Sequence, residues 1–188
     1  MTILDLINKS AVMLNIPEVL NDTAIKGITS ETEDEILTNN FALKRLYEFS
    51  KIILSEINSH APQTEEAVCN ALDKKIELSK FTNLSKIIGV KSQYGYVKHL
   101  IVDNNIVVEQ DGEYIVIYET SPNVDSMFNE IKLSSRVSED VLVCGLNAYY
   151  CLAVGLFSEF NIYNEHYHEG LNKLKNPKVF AMPCRSWQ

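Results

Sequence analysis

The side chains suited to chemistry are few in this sequence, and they are spaced poorly for it. His166 and His168 stand beside Glu165 and Glu169, residue types that ligate divalent metals. Residues two apart on a helix point to different faces, however, so the pair chelates poorly and both histidines are expected at the surface. Cys144 and Cys151 could act as nucleophiles only as thiolates, and each lies in an apolar run from Val141 to Phe157 that disfavours the charged form. Both read as core residues. The Asp and Glu side chains are numerous, yet no two share a spacing that demands general acid and base roles. A phosphate-binding P-loop, a dinucleotide-binding glycine fingerprint, a zinc-protease HExxH and a GxSxG elbow are all missing. The expectation is a protein with no catalytic residue, no cofactor and no metal, and not an enzyme.

The four cysteines, Cys69, Cys144, Cys151 and Cys184, show no CxxC spacing. Cys144 and Cys151 would sit two helical turns apart, about 10 Å, beyond disulfide reach, which points to reduced thiols in a cytosolic setting. Cys184 stands one place too early for a prenylation box. Asp5 and Lys9 interrupt the first apolar residues, so no signal peptide is indicated. At 188 residues, 46% hydrophobic and 22% charged, the chain can bury one full core with room for a small second lobe. Its net charge is −8 and its 17 Lys and Arg residues form no dense run, which argues against general affinity for nucleic acid.

The element on which the rest depends is the run from Val141 to Phe157. Ser138 is placed as its N-cap, and Glu139 and Asp140 complement the dipole of the first turn. Asn147 is the only strongly polar side chain in the run, so this helix has no wet face and must be covered by several neighbours, from its own chain or another copy. It is short for a membrane span and flanked by acids, which favours a buried helix and no membrane association. Gly155 to Ser158 allows only an antiparallel hairpin to the next helix. There Phe160, Tyr163, Tyr167, Leu171 and Leu174 form one apolar stripe on a polar cylinder, the pattern of a peripheral helix.

Upstream, Thr2 is placed to cap a helix with Ile3, Leu6, Ile7, Ala11 and Leu14 on one side, ending before Pro17. Ser30-Glu31-Thr32-Glu33 has capping-box spacing and predicts a helix running to about Ser59. Ala42, Leu46, Phe49, Ile53 and Ile57 are its main stripe, widened by Leu43, Tyr47 and Leu54. The acids Glu31, Glu33, Asp34 and Glu35 read as dipole complements. Past Pro62 the pattern alternates, predicting strands at Ile76–Leu78, Ile87–Val90, Tyr96–Ile101, Ile106–Glu109 and Tyr114–Tyr118. Tyr94-Gly95 and Asp103-Asn104-Asn105 are turn signals, and Asp111-Gly112 predicts a two-residue type I′ hairpin. The last strand is apolar on both faces, so it is expected to be central or to lie against another subunit.

The predicted fold class is α+β. An antiparallel helical bundle would form from residues 1–62 and 134–175, with an antiparallel β-meander inserted at 63–133. Residues 176–188 follow as an extended C-terminal arm, too short and too interrupted by proline to fold alone. The arm carries Val179, Phe180, Met182, Arg185 and Trp187, and since Trp and Arg dominate interface energetics these five are the predicted docking residues.

TILDLINKSAVMLNI at the start, VKHLIVDNNIVVEQDGEYIVIYETSP in the β region, SEDVLVCGLNAYYCLAVGLFSEFNIYNEHYHEGL and the closing CRSWQ together resemble the head-tail connector (adaptor) proteins of tailed bacteriophages. The resemblance covers most of the chain and carries no catalytic motif. It implies a structural virion protein at the head-tail junction, present in the host cytoplasm during assembly. Such proteins form a ring, commonly of twelve copies, beneath the portal protein; the ring extends the DNA channel and offers a platform to stopper or tail proteins. The partners implied are the portal, adjacent copies, those neck proteins and double-stranded DNA that passes without sequence-specific binding. Another neck component, a stopper or tail-completion protein, is the alternative, followed by a cytosolic regulator or small-molecule-binding module.

Overall fold

The structure, a computed structural model, describes residues 1–25 and 32–175. Among these residues it is α+β, with six α-helices and two antiparallel sheets. Helix α1 (Ile3–Leu14) starts where the sequence places it: Thr2 Oγ1 accepts from Asp5 N–H at 3.1 Å and Asp5 Oδ2 accepts from Thr2 N–H at 2.8 Å, a complete capping box. Asn15 closes the helix in a left-handed conformation. Pro17 then opens a further helix, α2 (Pro17–Ile25), which the sequence reading took for a stop. Proline suits the first helical position because the amide hydrogen it lacks would have no partner there.

One continuous helix was predicted up to Ser59, and the structure divides it. Helix α3 (Glu33–Asn39) ends at Asn40, whose side chain accepts from Leu43 N–H and caps α4 (Phe41–His60). Ser30 and Glu31 lie outside the described residues, and Thr32 holds the N-cap position of α3 without a side-chain cap bond. Nor is Glu33 only a dipole complement. It is buried and accepts from Ser126 Oγ at 2.6 Å and Met127 N–H at 2.8 Å, which fastens the loop before α5 to the helical body.

The strands are β1 (Gln63–Ala71), β2 (Lys75–Glu77), β3 (Leu84–Ser92), β4 (Gly95–Val97), β5 (Leu100–Val102), β6 (Asn105–Val107) and β7 (Gly112–Thr120). They do not form the predicted meander. One sheet has the order β1-β7-β3-β4 and the other β2-β6-β5, so β7 is central, as its two apolar faces require. The Asp111-Gly112 hairpin is also corrected: β6 and β7 belong to different sheets, and Asp111 Oδ1 instead accepts from Lys74 N–H. The tight turns with successive positive φ angles fall at Asp73-Lys74 and Asp103-Asn104. Tyr96–Ile101 is two strands, β4 and β5, one in each sheet. Strand β1 escaped the sequence reading because its half-buried residues are Gln63, Glu65, Ala67 and Cys69, while the apolar Val68 faces out.

Helices α5 (Glu139–Val154) and α6 (Phe157–Lys175) form a hairpin, with Gly155 at φ 81° closing α5. Helix α5 packs on α6, α4 and α1. Leu6, Ile7, Leu46, Ile53, Leu142, Leu146 and Tyr167 share the helical core, and a separate core of Ile76, Phe81, Val90, Ile106, Val116 and Tyr118 lies between the sheets.

Candidate interaction surfaces

The residue types that could do chemistry are not brought together. His166 and His168 are exposed on α6, and among the described residues no three His, Cys, Asp or Glu side chains converge as metal ligands. Cys151 is fully buried and burial raises its thiol pKa; Cys144 is shifted the same way, by burial and then by Asp140. Neither is poised as a thiolate. Two buried polar contacts join helices. Ser10 of α1 donates to Asn147 Oδ1 of α5, where both side chains are inaccessible to solvent, and Tyr167 of α6 donates to Glu56 of α4.

What the fold presents instead is apolar surface. Helix α5 buries Leu142, Val143, Leu146, Ala148 and Cys151, but its end and the start of α6 stay open: Leu152, Val154, Leu156, Phe157 and Ile162 are exposed, Phe157 to 64%. The sequence requires this helix to be covered on all sides, and the described residues cover only part of it. No protein-family model and no curated protein matches this chain.

A second apolar surface lies towards the other end of α5. Residues Val12 and Met13 of α1 face Val143 and Cys144 of α5 across an open groove of about 600 Å³, with Asn8, Lys9, Glu139 and Asp140 completing its lining. Lys9 and Glu139 pair across the rim. The sequence reading missed this groove, because Val12 and Met13 sit beside the stripe that packs inward and only the crossing of α1 over α5 gives them a shared function. A third surface is β5, an edge strand whose Leu100, Ile101 and Val102 are all exposed. Unpaired strand edges with apolar side chains invite pairing with another chain. The predicted docking residues Val179, Phe180, Met182, Arg185 and Trp187 lie outside the described residues.

No described helix is long and apolar enough to cross a membrane.

Proposed function

We propose that the protein is a structural subunit of a phage neck, a head-tail connector that forms a ring beneath the portal, extends the DNA channel and carries the stopper or tail proteins. In this reading the helices of the two chain halves make the body of the subunit, the β lobe projects from it, and the C-terminal arm supplies docking contacts through Val179, Phe180, Met182, Arg185 and Trp187. The observation that carries it is the uncovered apolar surface around the α5–α6 turn, Leu152, Val154, Leu156, Phe157 and Ile162, on a helix whose sequence calls for cover on every side. A ring is built from heterologous contacts, in which one patch meets a different patch on the next copy, and the α5–α6 turn and β5 are distinct surfaces of that kind. The net charge of −8 suits a channel wall that DNA must slide past without being gripped.

Electron microscopy and light scattering of the purified protein, with and without portal rings, test the reading. The expected result is a monomer or small oligomer alone and a ring on the portal. A stable monomer that associates with no portal, stopper or tail component would overturn it. Retention on DNA should be weak and should vanish as salt rises, whereas tight, salt-resistant binding to one sequence would indicate a regulator.

A further inference from the structure

We propose that the groove between α1 and α5 is the seat of the chain's own C-terminal arm, residues 176–188. The first argument is position. Helix α6 ends at Lys175 beside the start of α5, where the Arg136 guanidinium donates to the Leu174 carbonyl. Leu174, Asp140 and Cys144 line one flank of α5, and Asp140 and Cys144 also line the groove on its α1 flank. The arm therefore leaves α6 one helix diameter, about 10 Å, from the groove. Extended at about 3.3 Å per residue it spans roughly 40 Å, ample for that crossing and for running along the groove.

Composition supplies the second argument. In a chain of net charge −8 the arm carries Lys178 and Arg185 and no acid, while its apolar residues are Val179, Phe180, Met182 and Trp187. The groove matches this pattern with an apolar floor of Val12, Met13, Val143 and Cys144 and an acidic rim of Glu139 and Asp140. Lys9 partly neutralises Glu139, whereas Asp140 has no ion-pair partner among the described residues. A third, independent sign is Asn8, which lines the groove and whose buried side-chain oxygen meets no hydrogen-bond donor among the described residues. A buried acceptor left unpaired is costly, and the arm brings backbone, indole and guanidinium N–H donors that can satisfy it.

Tethering makes docking intramolecular, so weak contacts suffice to hold the arm in its own groove. Exchange of the same segment between copies preserves every contact, so an adjacent subunit in an assembly offers an identical seat. The seat on the isolated chain stands independently of the ring proposed above.

Trp187 is the only tryptophan, so its fluorescence reports the arm without background. In the full-length chain, diluted to where it is monomeric, the expected emission is blue-shifted and poorly quenched by iodide, independent of protein concentration. Val12→Asp and Met13→Asp replace side chains that are 64% and 55% exposed, so the helices should fold normally by circular dichroism. Each should nonetheless red-shift the emission and raise iodide quenching about threefold. Asp140→Asn should do the same more weakly, an effect that disappears at high salt as screening removes the charge contribution. A solvent-exposed emission in the unaltered monomer would overturn the proposal, as would protection that appears only as concentration rises. Protected emission that Val12→Asp and Met13→Asp both leave unchanged, in a chain with native helix content, would overturn it too. Failure to form a ring on the portal would leave these spectra unaffected, so the two proposals fail separately.

Discussion

The Tyr167 hydroxyl donates to Glu56 Oε2 at 2.8 Å and so joins α6 to α4 across the side of α5. Tyr167 is 2% exposed, and burial, followed by the nearby Glu56 carboxylate, raises the Tyr149 hydroxyl of α5, so the same acid sits beside all three helices. Tyr167→Phe keeps the ring and removes one donor to a charged acceptor. It should cost roughly 1.5–3 kcal/mol at neutral pH, read from urea unfolding. Tyr167→Ala, which also opens a cavity, should cost about 3–5 kcal/mol.

The same residue makes the protein sensitive to alkali. Burial, and then the bond to Glu56, raise the Tyr167 hydroxyl above its ordinary value of 10, and burial pushes Tyr47 up to about 12. Above pH 10 the unfolded hydroxyls lose protons that the folded ones keep. The unfolded state then binds fewer protons, so stability must fall as pH rises. Chemical denaturation between pH 8 and pH 11 should show this decline, and Tyr167→Phe should flatten it. An unchanged slope in the variant would mean that other groups cause the loss.

Helices α5 and α6 approach closely because two positions lack a side chain. A Cβ on Gly145 would stand 2.7 Å from the Tyr167 ring, and one on Gly170 would stand 2.4 Å from a Val141 methyl. Alanine is the better helix former by about 1 kcal/mol, so propensity alone predicts stabilisation. Overpacking should win here. Gly145→Ala and Gly170→Ala should each lower stability by about 1–3 kcal/mol, measured by thermal melting.

Ser10 and Asn147 form a buried polar pair between α1 and α5, and the Asn147 amide nitrogen also donates to Met13 Sδ at 3.9 Å. Ser10→Ala should cost about 1–3 kcal/mol by leaving part of the Asn147 amide unsatisfied. A double-mutant cycle with Asn147→Ala should give a coupling of at least about 0.5 kcal/mol, since the second change removes the group that the first one orphaned. Additivity would show that the pair contributes nothing as a pair.

The capping box of α1 makes an acid-side prediction. Asp5 is held below its ordinary value of 3.8, first by the Thr2 amide and then by the Thr2 side chain. Its stabilisation is therefore complete well above 3.8 and is lost as pH falls through and below that value. Thr2→Ala should cost about 1 kcal/mol at pH 7, and the difference from the unaltered protein should shrink near pH 3.

What the sequence determined by itself was local or periodic. Thr2 and Asp5 announce the start of α1 because their partners are three residues apart, and Ile3, Leu6, Ile7 and Ala11 mark its buried face by helical spacing. The apolar run containing Asn147 implied a covered helix, which holds for Leu142 to Cys151 and not for the exposed Leu152 to Phe157, and the two apolar faces of Tyr114–Tyr118 implied a central strand. Tertiary structure decided whatever depended on distant partners. Asp111-Gly112 looks like a hairpin turn, yet β7 pairs with β1 and β3 instead of β6, since those longer strands cover it on both edges. Strand β1 has no apolar alternation to betray it and becomes a strand only because β7 offers it a complete ladder of hydrogen bonds. Glu33 reads as a helix-start acid until Ser126 and Met127, far along the chain, turn out to donate to it. The α1–α5 groove belongs to neither helix alone. Val12 and Val143 are unremarkable apolar residues in sequence, and only the packing of the two helices leaves them facing each other across an open groove.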